Sequence, residues 1–244
     1  MRRLIDLSDT LSNRTREHEP NAHEIVYVAP EDSALNDFGV EGLWPDGKGW
    51  AVETVTLSTH SGTHVDAQYH YGRGGRTIDE VPLQWCYGPG VRLDLRSADR
   101  VQGIRRVDVE AALDAIGHEL QPAEIVLVWT GTSEHFGEPG YAFMHSGLRR
   151  DATEFLVDAG VRLIGIDAWG IDRAFDVMLE DAQQGRGQFW ESHLLGREKE
   201  YCQIERLANL DSLPAPTGFT VAAFPVKLER ASAGWARVVA IFED

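Results

Sequence analysis

Two apolar runs near the middle of the chain restrict its fold more than any other feature. EIVLVWT at 124–130 is continuous enough to suit a strand buried on both faces, and VRLIGID at 161–167 reads the same way. The segments before each run repeat at helical spacing instead. Val109, Ala112, Leu113, Ile116 and Leu120 share one helical face within 107–120, with Asp108 as the expected N-cap. Leu148, Ala152, Phe155, Leu156 and Ala159 mark a second amphipathic helix, with Ser146 as its expected cap and Gly160 as its C′ residue. Helix, strand, helix, strand in that order implies a parallel crossover unit.

Strand-rich segments flank that unit. VETVTLST at 52–59 is rich in β-branched residues, and VRLDL at 91–95 alternates apolar with polar. A short helix is expected around 172–182, carrying Phe175, Met178 and Leu179. The chain closes with FTVAAFPVKL and WARVVAIF joined by ERASAG, the pattern of a hairpin. The expected class is α/β, or α+β, with a mixed central sheet, crossover helices and a C-terminal β-hairpin. Residues 29–50, APEDSALNDFGVEGLWPDGKGW, are rich in Gly, Pro and Asp and read as a loop or covering segment. No stretch has the composition of a linker, so 1–244 reads as a single domain.

Composition narrows the partners. With 39 acidic and 23 basic residues among 244, the net charge is −16, which repels phosphate backbones and disfavours nucleic acid. No apolar run approaches the ~20 residues that span a bilayer. The opening MRRLIDLSDTL turns polar within a few residues, so it does not read as a signal peptide. Cys86 and Cys202 stand far apart and form no CxxC pattern, which leaves them as packing residues of a reduced, cytoplasmic protein.

Chemistry concentrates in one short segment. His60, His64 and His70 fall within eleven residues of HSGTHVDAQYH, with Asp66 between them. If the chain is extended there, His64 and Asp66 point to the same face. Gly62 permits a bend that swings His60 round to join them. Two imidazoles and a carboxylate suit Zn²⁺ or Mn²⁺, and three protein ligands leave positions open, as in catalytic rather than structural sites. Taken singly, any of these histidines reads as solvated or satisfied in the core. Taken together, at this spacing, they read as ligands.

HSGTHVDAQYH resembles the HxGTHxDxPxH motif of the cyclase-like metal-dependent hydrolases, a family that includes bacterial kynurenine formamidases, isatin hydrolases and a trans-dienelactone hydrolase. Supporting pieces are DLSDTL at 6–11, WTGT at 129–132, HSGL at 145–148, IGIDAWGID at 164–172 and the closing FPVKLERASAGWARVVA. The resemblance implies a swivelling β/α/β-like fold and a metal-activated water that cleaves an amide, formamide, cyclic imide, lactam or lactone bond. It implies that His60, His64 and Asp66 bind a first ion. Asp66 would bridge to a second ion held by His193 and Glu205, which stand twelve residues apart as the family pattern has them. Family members hold one or two ions. His70 matches the catalytic histidine that accepts and returns the proton. Gln68 stands where the family has proline, and its amide is free to meet a substrate. The resemblance also implies a homodimer or homotetramer.

The remaining candidates carry plainer readings. Trp44, Trp50, Trp85, Trp129, Trp169, Trp190 and Phe189 suit a core and an oligomer interface; Trp169 and Trp44 are the candidates for a pocket around a planar substrate. His135 and His145 read as loop histidines, and Asp167 and Asp172 as capping or turn residues rather than ligands. His18, His23 and His118 have no partner visible in sequence. No GxSxG elbow and no P-loop occur. The enzyme reading therefore competes with a non-catalytic metal- or small-ligand-binding protein on the same fold.

Overall fold

The computed structural model describes residues 2–18, 23–44 and 46–243, the side chains of 16–18 excepted, so the His18 side chain lies outside the described residues. The chain order is β1 (Arg2–Asp6), β2 (Glu24–Val28), α1 (Ser33–Phe38), β3 (Val52–Thr56), β4 (His64–Asp66), α2 (Gln68–Tyr71), β5 (Tyr87–Asp94), α3 (Arg106–Ile116), β6 (Ile125–Trp129), α4 (Arg150–Asp158), β7 (Leu163–Ile166), α5 (Phe175–Gln183), α6 (Glu191–Leu195), β8 (Cys202–Glu205), β9 (Phe219–Ala222), β10 (Ala233–Trp235) and β11 (Val239–Glu243). The main sheet has the order β1-β11-β9-β5-β6-β7-β8-β4-β10. Its centre, β5 through β8, is parallel, and the remaining pairs are antiparallel. The fold is thus α/β with a mixed sheet and crossover helices, as the apolar runs predict.

β6 is buried along its whole length, and its alternate side chains feed two cores. Val126 and Val128 meet Val109 and Leu113 of α3 and Leu156 of α4. Ile125, Leu127 and Trp129 face the other way, into a core enclosed by the curl of the sheet. Each fully buried Val, Leu or Ile stabilises by about 1.5–3 kcal/mol. The curl brings the β1 side of the sheet round to β8. Ser8 bridges Leu207, the Leu7 N–H donates to the Val238 carbonyl at 2.9 Å, and the Ala208 N–H returns to the Leu7 carbonyl at 3.0 Å.

Several local expectations are corrected. Asp108 is not the N-cap of α3 but its third residue, and its Oδ2 accepts the Arg105 backbone N–H at 2.9 Å. Ser146 does not cap α4, because 148–149 is still extended: the Leu148 N–H donates to the Ile171 carbonyl and the Arg149 N–H to the Ile104 carbonyl, so the helix opens after Arg149. Gly160 follows the end of α4 with φ 97°, as expected. β3 lies outside the main sheet and pairs only with β2, in an exposed ribbon. β9 does pair with β11, but the expected connector ERASAG runs into β10, which crosses to β4. Cys86 and Cys202 are buried free thiols. No helix among the described residues is long and apolar enough to cross a membrane.

Candidate metal centre

Strand register assembles the centre. His64 of β4 lies opposite Glu205 of β8, and Asp66 lies opposite Gln203. Alternate side chains share a face, so these four project together while Val65 and Ile204 enter the enclosed core. Gly62, at φ 61°, makes the bend that returns His60 to them. His60 Nδ1 then stands 2.8 Å from Asp66 Oδ1; His64 Nε2 is 3.3 Å from the same oxygen and 3.7 Å from Glu205 Oε2. His193 arrives from α6. Asp172 holds that helix start by accepting the N–H groups of Ser192 at 2.6 Å and His193 at 3.2 Å, and it takes the His193 Nδ1 proton at 2.5 Å. Asp172 therefore caps a helix distant in sequence, and it also orients an imidazole.

Each ring is anchored at one nitrogen and turns the other inward. His64 Nδ1 donates to the Gly62 carbonyl at 2.8 Å, His60 Nε2 faces Ser232 Oγ at 3.0 Å, and His193 Nδ1 is committed to Asp172. Because a carbonyl only accepts, Nδ1 carries the proton, and the neutral ring presents Nε2 as a lone pair between two carboxylates. His64 Nε2 and Asp66 Oδ1 are buried, and the close contacts of His60 and His64 with Oδ1 lack hydrogen-bond geometry. Lone pairs buried face to face are costly unless a cation sits between them. His60, His64 and Asp66 each bring one donor atom within 4.8 Å of the others, and Asp66, His70 and His193 form a second such group. The residues present therefore fit a divalent ion.

The electrostatics follow from burial and close charges. Burial pushes the Asp66 carboxyl up, but His64 and His60 beside it pull harder and hold it well below the usual carboxylate range. Burial and then the charge of Asp66 raise Glu205. Burial pulls His64 down, and the nearby charges of Asp66 and Glu205 outweigh it. His193 is raised in the same way against its burial, by Asp172. His70 differs: burial, with its neighbouring imidazoles, lowers it to about 4. Its ring lies 4.2 Å from that of His60 and makes no side-chain hydrogen bond among the described residues.

The centre opens onto a cavity of about 200 Å³ walled by Trp169, Trp190, Phe175 and Met178, with His70, His193 and Glu205 at its edge. The Arg206 guanidinium stacks 3.7 Å above the Trp169 ring. Trp169 is thus placed where a pocket residue was expected. Two other expected substrate contacts are not. Gln68 turns away from the cavity, its Nε2 donating to the Gly196 carbonyl at 3.0 Å and its Oε1 facing the Arg76 N–H at 3.4 Å. Trp44 lies in the 29–50 segment against Trp50, at 6.5 Å between rings, and not in the cavity wall.

His145, read as a loop histidine, is buried in that wall with Nε2 donating to the Asp172 carbonyl at 3.0 Å. His135 is an exposed loop residue beside Glu138. Asp167 is a turn residue, accepting the Thr130 and Gly131 N–H groups at 2.6 and 2.9 Å. Sequence reasoning passed over Gln203, though its two-residue offset from Glu205 places it on the same strand face. It also took Trp190 for core or interface, whereas the ring stacks on His193 at 4.3 Å.

The sequence pattern of the family described as "putative cyclase" matches residues 5–173. A kynurenine formamidase from Bacillus cereus is 27% identical over 174 residues, covering 69% of this chain and 69% of the relative. One from Bacillus anthracis is 28% identical over 171 residues with the same coverage. Among solved structures, an isatin hydrolase bound to the product analogue thioisatinate superposes with TM-score 0.79 at 24% identity, over 100% of this chain and 93% of that one. A potential metal-dependent hydrolase with cyclase activity gives TM-score 0.72 at 21% identity, with both chains fully covered.

Proposed function

The chain belongs to the cyclase family, and from that premise we propose that it is a metal-dependent hydrolase of a C–N amide bond, a formamide or a cyclic imide or lactam, in a small aromatic substrate. The observation that carries this reading is the buried cluster of His60, His64 and Asp66, with ligand atoms within 4.8 Å of one another, reached through His60 from an aromatic-walled cavity. Zn²⁺ or Mn²⁺ would be held by His60, His64 and Asp66. When bound, such an ion supplies Lewis acidity, bringing the pKa of water toward ~7 and polarising a carbonyl.

The protein's own groups do the rest. Gly62, Ser232 and Asp172 fix the three imidazoles, so little reorganisation accompanies reaction. His70 borders the cavity with its ring nitrogens uncommitted, which suits it to take a proton from the attacking water and return it to the leaving nitrogen. Trp169 and Trp190 offer flat apolar faces for an aromatic ring, and they exclude water from the bond being cut. The kynurenine formamidase relatives support the formamide end of this range. A cytoplasmic setting and a homodimer or homotetramer belong to the same reading; the exposed Val26, Tyr27, Val52 and Val55 of the β2–β3 ribbon support the latter.

The test is metal content together with turnover of N-formylkynurenine, isatin and simple lactones, with Zn²⁺ or Mn²⁺ added. Bound metal and turnover of an amide are expected. Turnover of lactones alone would overturn the C–N assignment. Bound metal without any turnover would point to a metal- or ligand-binding protein instead.

A further inference from the structure

The inner faces of the centre are not alike. On one side, His60 Nδ1 and His64 Nε2 crowd Asp66 Oδ1 at 2.8 and 3.3 Å without hydrogen-bond geometry. On the other, Asp66 Oδ2, His193 Nε2 and Glu205 Oε1 converge on a single atom, the side-chain nitrogen of Gln203, at 3.0, 2.9 and 2.9 Å. Its orientation follows from its neighbours. The Gln203 Oε1 faces the Tyr201 hydroxyl at 3.2 Å; turned over, that oxygen would confront two carboxylates. In the neutral ring, with Nδ1 donating to Asp172, His193 Nε2 is the accepting nitrogen. Gln203 is fully buried.

We propose that the Gln203 amide takes the place of a second metal ion and holds this centre at one ion per chain. The inference rests on the metal-centre reading above and makes it specific. Asp66, His193 and Glu205 are the donors from which a second site would be built, and all three lie within 3.0 Å of the Gln203 amide nitrogen, whose two protons they share. The alternative grouping of Asp66, His70 and His193 needs the same His193 nitrogen. Gln203 is therefore a positioning residue. It ties down Asp66 Oδ2 so that Oδ1 faces His60 and His64.

The test is metal stoichiometry, read by elemental analysis after reconstitution with excess Mn²⁺ or Zn²⁺ and desalting. One equivalent is expected for the wild type. Gln203→Ala, which removes the amide from between the three acceptors, is expected to rise to two. Wild-type protein with two equivalents overturns the inference. So does a Gln203→Ala variant whose content falls below one, because Gln203 would then be a ligand. A spectroscopic reading needs no variant: wild type loaded with Mn²⁺ should show the paramagnetic resonance of isolated ions, and an exchange-coupled pair overturns the inference. No bound metal at all overturns the metal-centre reading itself, a different result from two equivalents.

Discussion

The ring of Trp190 lies flat on that of His193, with 4.3 Å between centroids and 7° between planes. Trp190 reaches this position from a left-handed backbone, φ 64° and ψ 49°, where a bulky side chain is strained. The strain is held at the cavity wall, beside an imidazole that faces the centre. Trp190→Ala and Trp190→Gly remove the same ring but treat the backbone differently. The glycine variant should be the more stable by about 1 kcal/mol in urea unfolding. Equal stability would show that the left-handed turn is absent in solution.

His64 and His70 should separate binding from catalysis. His64→Ala removes an anchored imidazole from the centre, and the purified variant should retain little or no metal. His70→Ala should keep its metal and lose roughly 10²–10⁴ in kcat, the usual range for a proton-transferring side chain. Full activity in the His70 variant would remove it from the mechanism.

His145 predicts an acid limb of stability. Burial lowers it to about 4 from 6.5, against the opposing pull of the Asp172 carbonyl that accepts its Nε2 proton. The fold thus favours the neutral ring. Its contribution is complete above pH 6.5 and is lost as the pH falls toward 4, because the unfolded chain binds the proton first. The loss across that window is about 3 kcal/mol. Urea midpoints of wild type and His145→Gln, compared across that range, should converge as the pH falls; parallel curves would contradict the assignment.

Gly147 should resist any side chain. A Cβ there would lie 1.9 Å from the Asp172 carbonyl oxygen, the same oxygen that anchors His145. Backbone cannot yield as a flexible side chain does, so Gly147→Ala should destabilise by about 1–3 kcal/mol. It should also weaken metal retention, because Asp172 orients His193. A variant with wild-type melting would refute the close approach.

How much of this is legible in sequence depends on how far apart the partners lie. β6 and β7 announce themselves, because strands buried on both faces must be apolar throughout. His64 and Asp66 share a face by local geometry alone, and Gly62 bends where a bend was expected. Gln203 does not stand out, because a glutamine alternating with a glutamate reads as the wet face of a strand. Only the pairing of β4 with β8 turns that face inward. Ser146 and Asp108 missed their cap roles for a related reason. The start of α4 is set by the bridge from Leu148 to distant Ile104, and the start of α3 by an acid already inside the helix. Gln68 looked available because its partners, Gly196 and Arg76, come from separate segments.

The crossing of β10 to β4 has a consequence for how the protein is made. β4 is sandwiched between β8 and β10, and His60 leans on Ser232, 172 residues downstream. Chains leave the ribosome N-terminus first, and partners this distant close last. The histidine segment is therefore among the early products of translation and waits, unsupported, for its scaffold. A nascent chain stalled before Ser232 should hold no ion, which places loading after that residue has emerged and makes it dependent on the metal supply met at that moment.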